Sequence, residues 1–193
     1  MVRPSFAWLS STNSLSGGWV CQGCNTETQG EVPLVLACAY PDEYHLMEEK
    51  DRESVRMSAD LCLISGKTPK HFVRGLLEMP LLLDGLSQGM RELAPFVLTW
   101  GVWVAVSQVD FDLIVAGWSR PEVLVVPATL ANNLPTYSKS VGTSATLTTR
   151  GGLRPLVNIT SSTDATLIEH HTKGIPKEEL AATLNTVFAE RSR

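Results

Sequence analysis

The stretch Phe96 to Gln108, FVLTWGVWVAVSQ, is the longest apolar run in the chain and decides how the rest is read. Its alternation predicts a strand. Trp100, Val102, Val104 and Val106 share one face, and Thr99, Gly101, Trp103, Ala105 and Ser107 share the other. Most of these residues are β-branched or aromatic, which suits a pleated surface. At about 13 residues the run is too short to cross a bilayer as a helix, which takes about 20. It is therefore read as the central strand of a sheet, residues 96–108.

Outward from this strand towards the C-terminus, Phe111, Ile114, Val115 and Trp118 have helical spacing and predict a short helix over 109–118. Pro121 stops it. A short apolar strand follows at 122–126, then a polar loop at 130–144. Strands at 145–150 and 153–160 are split by Gly151-Gly152, a hairpin signal. A short helix at 165–171 precedes Gly174. A terminal helix spans 177–191, with Leu180, Leu184, Val187 and Phe188 as its buried stripe.

Towards the N-terminus, strands at 61–65 and 71–80 form a hairpin through a loop of about five residues. The segment 41–57 is the best N-terminal helix, opened by Pro41 with Asp42 and Glu43 at its positive end and with a break near Lys50. Residues 81–95 read as a loop. Residues 1–18 are expected to pack loosely ahead of one domain over 19–193. The sum is a single α+β domain with a mostly antiparallel sheet.

The chain has 193 residues, 44% hydrophobic and 19% charged, which is a globular composition. A formal charge of −4 and dispersed basic residues argue against a nucleic-acid binder. The N-terminus lacks the continuous apolar core of a secretory signal, and no apolar segment is of spanning length. A cytoplasmic protein with no membrane association is expected. In that compartment the four cysteines, Cys21, Cys24, Cys38 and Cys62, are not a disulfide framework.

Six short motifs follow one another along the chain: Cys21-Gln22-Gly23-Cys24, Ser58-Ala59-Asp60-Leu61-Cys62, His71-Phe72-Val73-Arg74-Gly75, Trp100-Gly101-Val102-Trp103-Val104, Leu134-Pro135-Thr136-Tyr137 and Gly152-Leu153-Arg154-Pro155. In this order they resemble the bacterial domain-of-unknown-function family 2199, with its CxxC, SxDLC, FxRG, GVWV, LPxY and GxRP motifs. The resemblance implies a shared fold and a bacterial cytosolic setting and carries no activity. The chain departs from the pattern at Asn25, where a glycine is usual, in a longer 81–95 segment, and at 125–129.

Cys21 and Cys24 have the spacing that lets two thiolates reach one zinc ion from a tight turn. Structural zinc takes four ligands, and Cys62 and His71, on the two arms of the hairpin, are the candidates to complete the set. The alternative is a reduced, metal-free knuckle with Cys62 packed as a small core residue. Arg74 and Glu78 share a strand face. With Arg154 and the flat wall of Trp103 they form a candidate site for an anionic or polar ligand, or for a partner protein. The alternative there is an ion pair closing a sheet edge. His45, Glu48 and Glu49, and likewise Glu169, His170 and His171, read as solvated surface.

Motifs for a nucleophile elbow, a phosphate loop or a zinc protease are missing from the sequence. The leading expectation is a non-enzymatic domain that binds another protein, an immunity or accessory protein of a bacterial conflict system being one form of it. The alternative is a small-molecule enzyme or sensor with a pocket around Arg74, Glu78 and Arg154.

Overall fold

The computed structural model describes residues 14–20, 27–33, 35–82, 97–137 and 139–191. Strands β1 (Ser14–Val20) and β2 (Glu27–Pro33) form an antiparallel two-stranded sheet of their own. Then come β3 (Val35–Ala37), helices α1 (Asp42–Leu46) and α2 (Glu49–Arg52), β4 (Val55–Met57), β5 (Leu61–Ile64) and β6 (Lys70–Leu82). β7 (Val97–Val106) is the strand expected at the centre. It leads into α3 (Gln108–Gly117), β8 (Val125–Leu130), β9 (Ser144–Arg150), β10 (Leu153–Ser161), α4 (Ala165–Lys173), β11 (Ile175–Pro176) and α5 (Lys177–Arg191).

The large sheet closes on itself. β6 pairs with β7, β7 with β8, β8 with β9, β9 with β10, and β10 returns to β6. Neighbours in this ring are antiparallel until the last pair. Five is an odd number, so the first and fifth strands of an up-and-down path run the same way and can close only in parallel. The closing seam is short: Leu156 lies opposite Leu76, and Val157 opposite Leu77. β3 and β11 add further parallel pairs on β7 and β6. The sheet is thus mixed, which corrects the expectation of a mostly antiparallel one. A linear reading of hairpins shows the antiparallel pairs and misses the closure.

The ring interior is filled. The inward faces of β6 and β7 supply Val73, Leu77, Met79, Leu98, Trp100, Val102 and Val104, and Leu147 and Val157 meet them from β9 and β10, all buried. Gly75 faces the same way, beside the seam. A Cβ there would lie 2.5 Å from Val157 Cγ2 and 3.1 Å from both Leu147 Cδ1 and Pro155 O. Only a glycine allows the two strands to approach this closely.

Local signals set most elements. Ser107 caps α3, its hydroxyl accepting from Asp110 N at 3.1 Å and donating to Asp110 Oδ2 at 2.6 Å. Gly151 (φ 53°) and Gly152 (φ 83°) both take the left-handed backbone that a two-residue type I′ hairpin requires between β9 and β10. Asp164 caps α4, and Gly174 ends it at φ 106°. On α5, Leu180, Leu184 and Val187 are buried, as expected, and the fourth residue of the expected stripe, the side chain of Phe188, lies outside what is described.

The segment 41–57 differs from its expectation. Met47 and Glu48 are extended (ψ 144° and 150°), so the helix breaks there into two short pieces. Val55–Met57 is a strand, paired with β5 as Val55 to Ile64 and Met57 to Cys62. Edge pairing with the hairpin outweighs the weak helical preference of this polar stretch. The expected strand at 122–126 forms three residues later, at 125–130. Among the described residues, no helix is long and apolar enough to cross a membrane. The 81–95 loop lies mostly, and the 21–24 knuckle wholly, outside the described residues.

Candidate functional site

β6 and β7 bring Arg74 and Trp103 together, since the two residues are register partners. The Arg74 guanidinium carbon lies 5.7 Å from the Trp103 ring centre. Arg74 Nη2 donates to Cys38 O at 2.8 Å, and Trp103 Nε1 donates to the same oxygen at 3.2 Å. Gly101, with no side chain, lets β3 approach β7 closely: its Cβ would stand 3.1 Å from the Ala37 Cβ, and at an ordinary 3.7 Å from Arg74 Nε. β3 extends the sheet beside β7, and the main chain at Cys38 just after it meets both side chains; Trp103 has no exposed surface and Arg74 is 7% exposed. Burial lowers the pKa of Arg74 from its ordinary value, and Arg154 nearby lowers it further.

Arg154 makes its own pair, Nε to Asp60 Oδ1 at 2.5 Å. Among the described residues no ion pair joins either arginine to Glu78, which lies opposite Thr99 further along β6. The structure therefore unites Arg74, Trp103, Arg154 and Asp60 and leaves Glu78 apart. These contacts join the motifs in pairs, SxDLC to GxRP and FxRG to GVWV. The wall offered by Trp103 faces protein, not solvent.

The metal candidates separate. Cys62 lies opposite Phe72 and Leu63 opposite His71. Partners across an antiparallel pair share a face, and neighbours along a strand do not. Cys62 and His71 therefore point to opposite faces of the sheet, which corrects the expected convergence. His71 packs on Phe111 of α3, with ring centres 5.1 Å apart. Burial pushes the Cys62 thiol up to about 11 and the Cys38 thiol to about 12, so both are protonated at neutral pH. Among the described residues no group of three or more His, Cys, Asp or Glu side chains is placed to hold a metal ion.

His170, read from the sequence as surface, is buried. Its Nδ1 lies 2.9 Å from Tyr137 Oη and its Nε2 2.9 Å from Glu179 Oε2. Tyr137 Oη also reaches Met79 Sδ at 3.2 Å. This chain of contacts ties the LPxY loop to β6, α4 and α5. Burial raises the Tyr137 pKa above its ordinary value.

An open groove of about 550 Å³ lies outside the ring, between α1 and the turn at Val141-Gly142. Phe72, Ala105 and Leu130 form its floor, and Leu46, Met47 and Val141 its rim. Leu46 is 71% exposed and Val141 51%. A polar extension of about 530 Å³ shares Val141 and Gly142 and is lined by Lys139 and the hydroxyls of Thr143, Ser144 and Ser162.

The groove walls are held in place before anything binds. Asn132, 1% exposed, accepts from Trp103 N at 2.7 Å and donates to Tyr40 O at 2.8 Å and Asp42 Oδ1 at 3.1 Å. Asp42 Oδ2 accepts from Asn133 N at 2.8 Å, and Asp42 N donates to Ala131 O at 3.0 Å. Lys70 pairs with Glu43, the next residue of the same first turn of α1. Sequence reading missed this site because its parts come from three distant segments.

The architecture defines a mixed-sheet α+β domain built round a closed five-strand ring. The chain belongs to the family described as an uncharacterized protein conserved in bacteria (DUF2199), which matches residues 20–175. No curated protein and no solved structure matches it.

Proposed function

We propose that this chain is a non-enzymatic protein-binding domain whose docking surface is the groove between α1 and Val141. The observation that carries this reading is an apolar, solvent-open groove with a preformed frame, beside a ring whose interior is already filled. The groove's carboxylates are occupied, Asp42 by Asn132 and Asn133 and Glu43 by Lys70, so what the groove offers a ligand is apolar contact area. An immunity or accessory role in the bacterial cytosol fits a domain of this kind. The enzyme or sensor alternative around Arg74, Glu78 and Arg154 has less support, because Arg74 is spent on a main-chain carbonyl and Arg154 on Asp60.

The test is site-specific photocrosslinking in the native host, with the probe at Leu46 or Val141 and a control at Leu153, which is 63% exposed on β10. One host protein captured from both groove positions and not from Leu153 is expected. No product from the groove positions, or the same product from all three, would refute the reading.

A structural zinc on Cys21 and Cys24 is a second reading, supported by their place between two paired strands, with Val20 opposite Glu27. The expected result is about one zinc per chain by elemental analysis, lost in Cys21→Ser. Since Cys62 is fully buried in the core and faces away from His71, Cys62→Ser should leave the zinc content unchanged.

A further inference from the structure

The groove has a charged neighbour that narrows the choice of partner. Residues 42–53 carry six acids (Asp42, Glu43, Glu48, Glu49, Asp51 and Glu53) against two bases (Lys50 and Arg52), a net −4 that equals the formal charge of the whole chain. The remaining residues are therefore neutral overall. This segment is α1 and α2, and α1 is the groove's wall. Glu48, Glu49, Asp51 and Glu53 are exposed, directly after Met47 on the groove rim. Among the described residues, only Glu48 of these four has a close basic partner, Lys50 at 2.7 Å.

From this juxtaposition we infer that the groove's occupant is a cationic amphipathic segment of another protein, apolar side chains on Phe72 and Ala105 and Lys or Arg side chains beside α1 and α2. The inference rests on the groove being a protein-docking site. The apolar floor supplies contact area, and the excess charge just past the Met47 end of the groove supplies direction and partner choice. A second copy of this chain is disfavoured, because a symmetric contact through this face would bring two net −4 segments together. The hydroxyl-lined extension past Val141 provides donors and acceptors for the polar groups of a segment that runs on.

The test uses the full chain and three labelled synthetic amphipathic peptides with one apolar pattern, differing only in whether the polar positions are Lys, Gln or Glu. Fluorescence anisotropy should place the Lys peptide about tenfold tighter than the Gln peptide, with the Glu peptide unbound. The difference should collapse near 1 M salt, where the screening length is about 3 Å. The triple change Glu48→Lys, Glu49→Lys, Glu53→Lys should reverse the preference and leave Gln-peptide binding intact. Leu46→Asp, at a position 71% exposed, should abolish binding of both the Lys and Gln peptides. Equal affinity for the Lys and Gln peptides would overturn the charge inference and leave the groove reading standing. No binding by any peptide, or binding that survives Leu46→Asp, would overturn both. A dimer in sedimentation that Leu46→Asp dissolves would make the occupant a second copy and refute the inference.

Discussion

Gly75→Ala should open the ring at its seam. The added methyl would sit 2.5 Å from Val157 Cγ2, about 1 Å inside ordinary carbon contact, and 3.1 Å from both Leu147 Cδ1 and Pro155 O. Val157 is 2% exposed and Leu147 fully buried, so neither side chain has free space to enter. The main-chain oxygen cannot step aside without moving β10. Overpacking of this kind costs about 1–3 kcal/mol, and the two contacts behind the first place it at the upper end. Loss of glycine's freedom in the unfolded chain returns about 0.4–1 kcal/mol. The net expectation is a loss of about 2 kcal/mol. Urea denaturation should show it as a lower midpoint with an unchanged slope. Val157→Ala removes the obstructing methyl and alone costs about 2 kcal/mol as a core truncation. The two changes together should then cost about 1.5 kcal/mol less than their sum. A Gly75→Ala protein within about 0.5 kcal/mol of wild type, or strict additivity with Val157→Ala, would show that the seam does not require the glycine.

Alkaline pH should destabilise the fold in a window set by the buried thiols. Cys62 and Cys38 are raised from 9.0 to about 11 and about 12, so the protonated thiol is favoured in the folded state. Their contribution is complete below pH 9 and lost as pH climbs through 11 and 12. Urea midpoints between pH 8 and 10.5 measure it, Cys38→Ala should flatten the decline, and a flat wild-type profile would contradict it. At Arg74 the conservative change should be the worse one. Arg74→Met removes a buried charge while Cys38 O keeps its Trp103 donor, so it should cost less than about 2 kcal/mol; Arg74→Lys buries an ammonium in a cage shaped for a guanidinium and should cost about 3 kcal/mol. Thermal unfolding of the two variants ranks them, and better tolerance of Lys would disprove the argument. Tyr137→Phe strips His170 Nδ1 of its 2.9 Å partner in a buried setting and should cost about 1–2 kcal/mol, whereas Glu179→Gln, at a half-exposed carboxylate, should cost under about 0.5 kcal/mol. Equal losses in the melting curves of the two variants would count against a structural role for the Tyr137 hydroxyl.

Where a signal is local, the sequence was a good guide. β7 was legible within one to two residues at each end because alternation needs no knowledge of the partner strands. The Ser107 cap, the Gly151-Gly152 hairpin and the stripe on α5 were legible for the same reason: each is completed within a few residues. The candidate site was less legible. Alternation gave the correct face for Trp103 and its shared side with Arg74, but whether a face is covered depends on another segment. Here the main chain at Cys38, about 65 residues earlier, lies against Trp103 and Arg74. His170 was read as surface beside a second histidine, and only the docking of the LPxY loop and α5 buried it between Tyr137 and Glu179.

The sequence by itself determined the family, the α+β class, the central strand and the placing of all the excess negative charge in twelve residues, because composition, periodicity and motif order are properties of the chain alone. The tertiary structure alone decided that the sheet closes in parallel at Gly75, that Cys62 and His71 face apart, and that α1 stands over Phe72 and Ala105 to make a groove. Each of these is a relation between segments distant along the chain. Such relations are set by strand register and by the hydrogen bonds of Asn132 and Asp42, which no local pattern encodes.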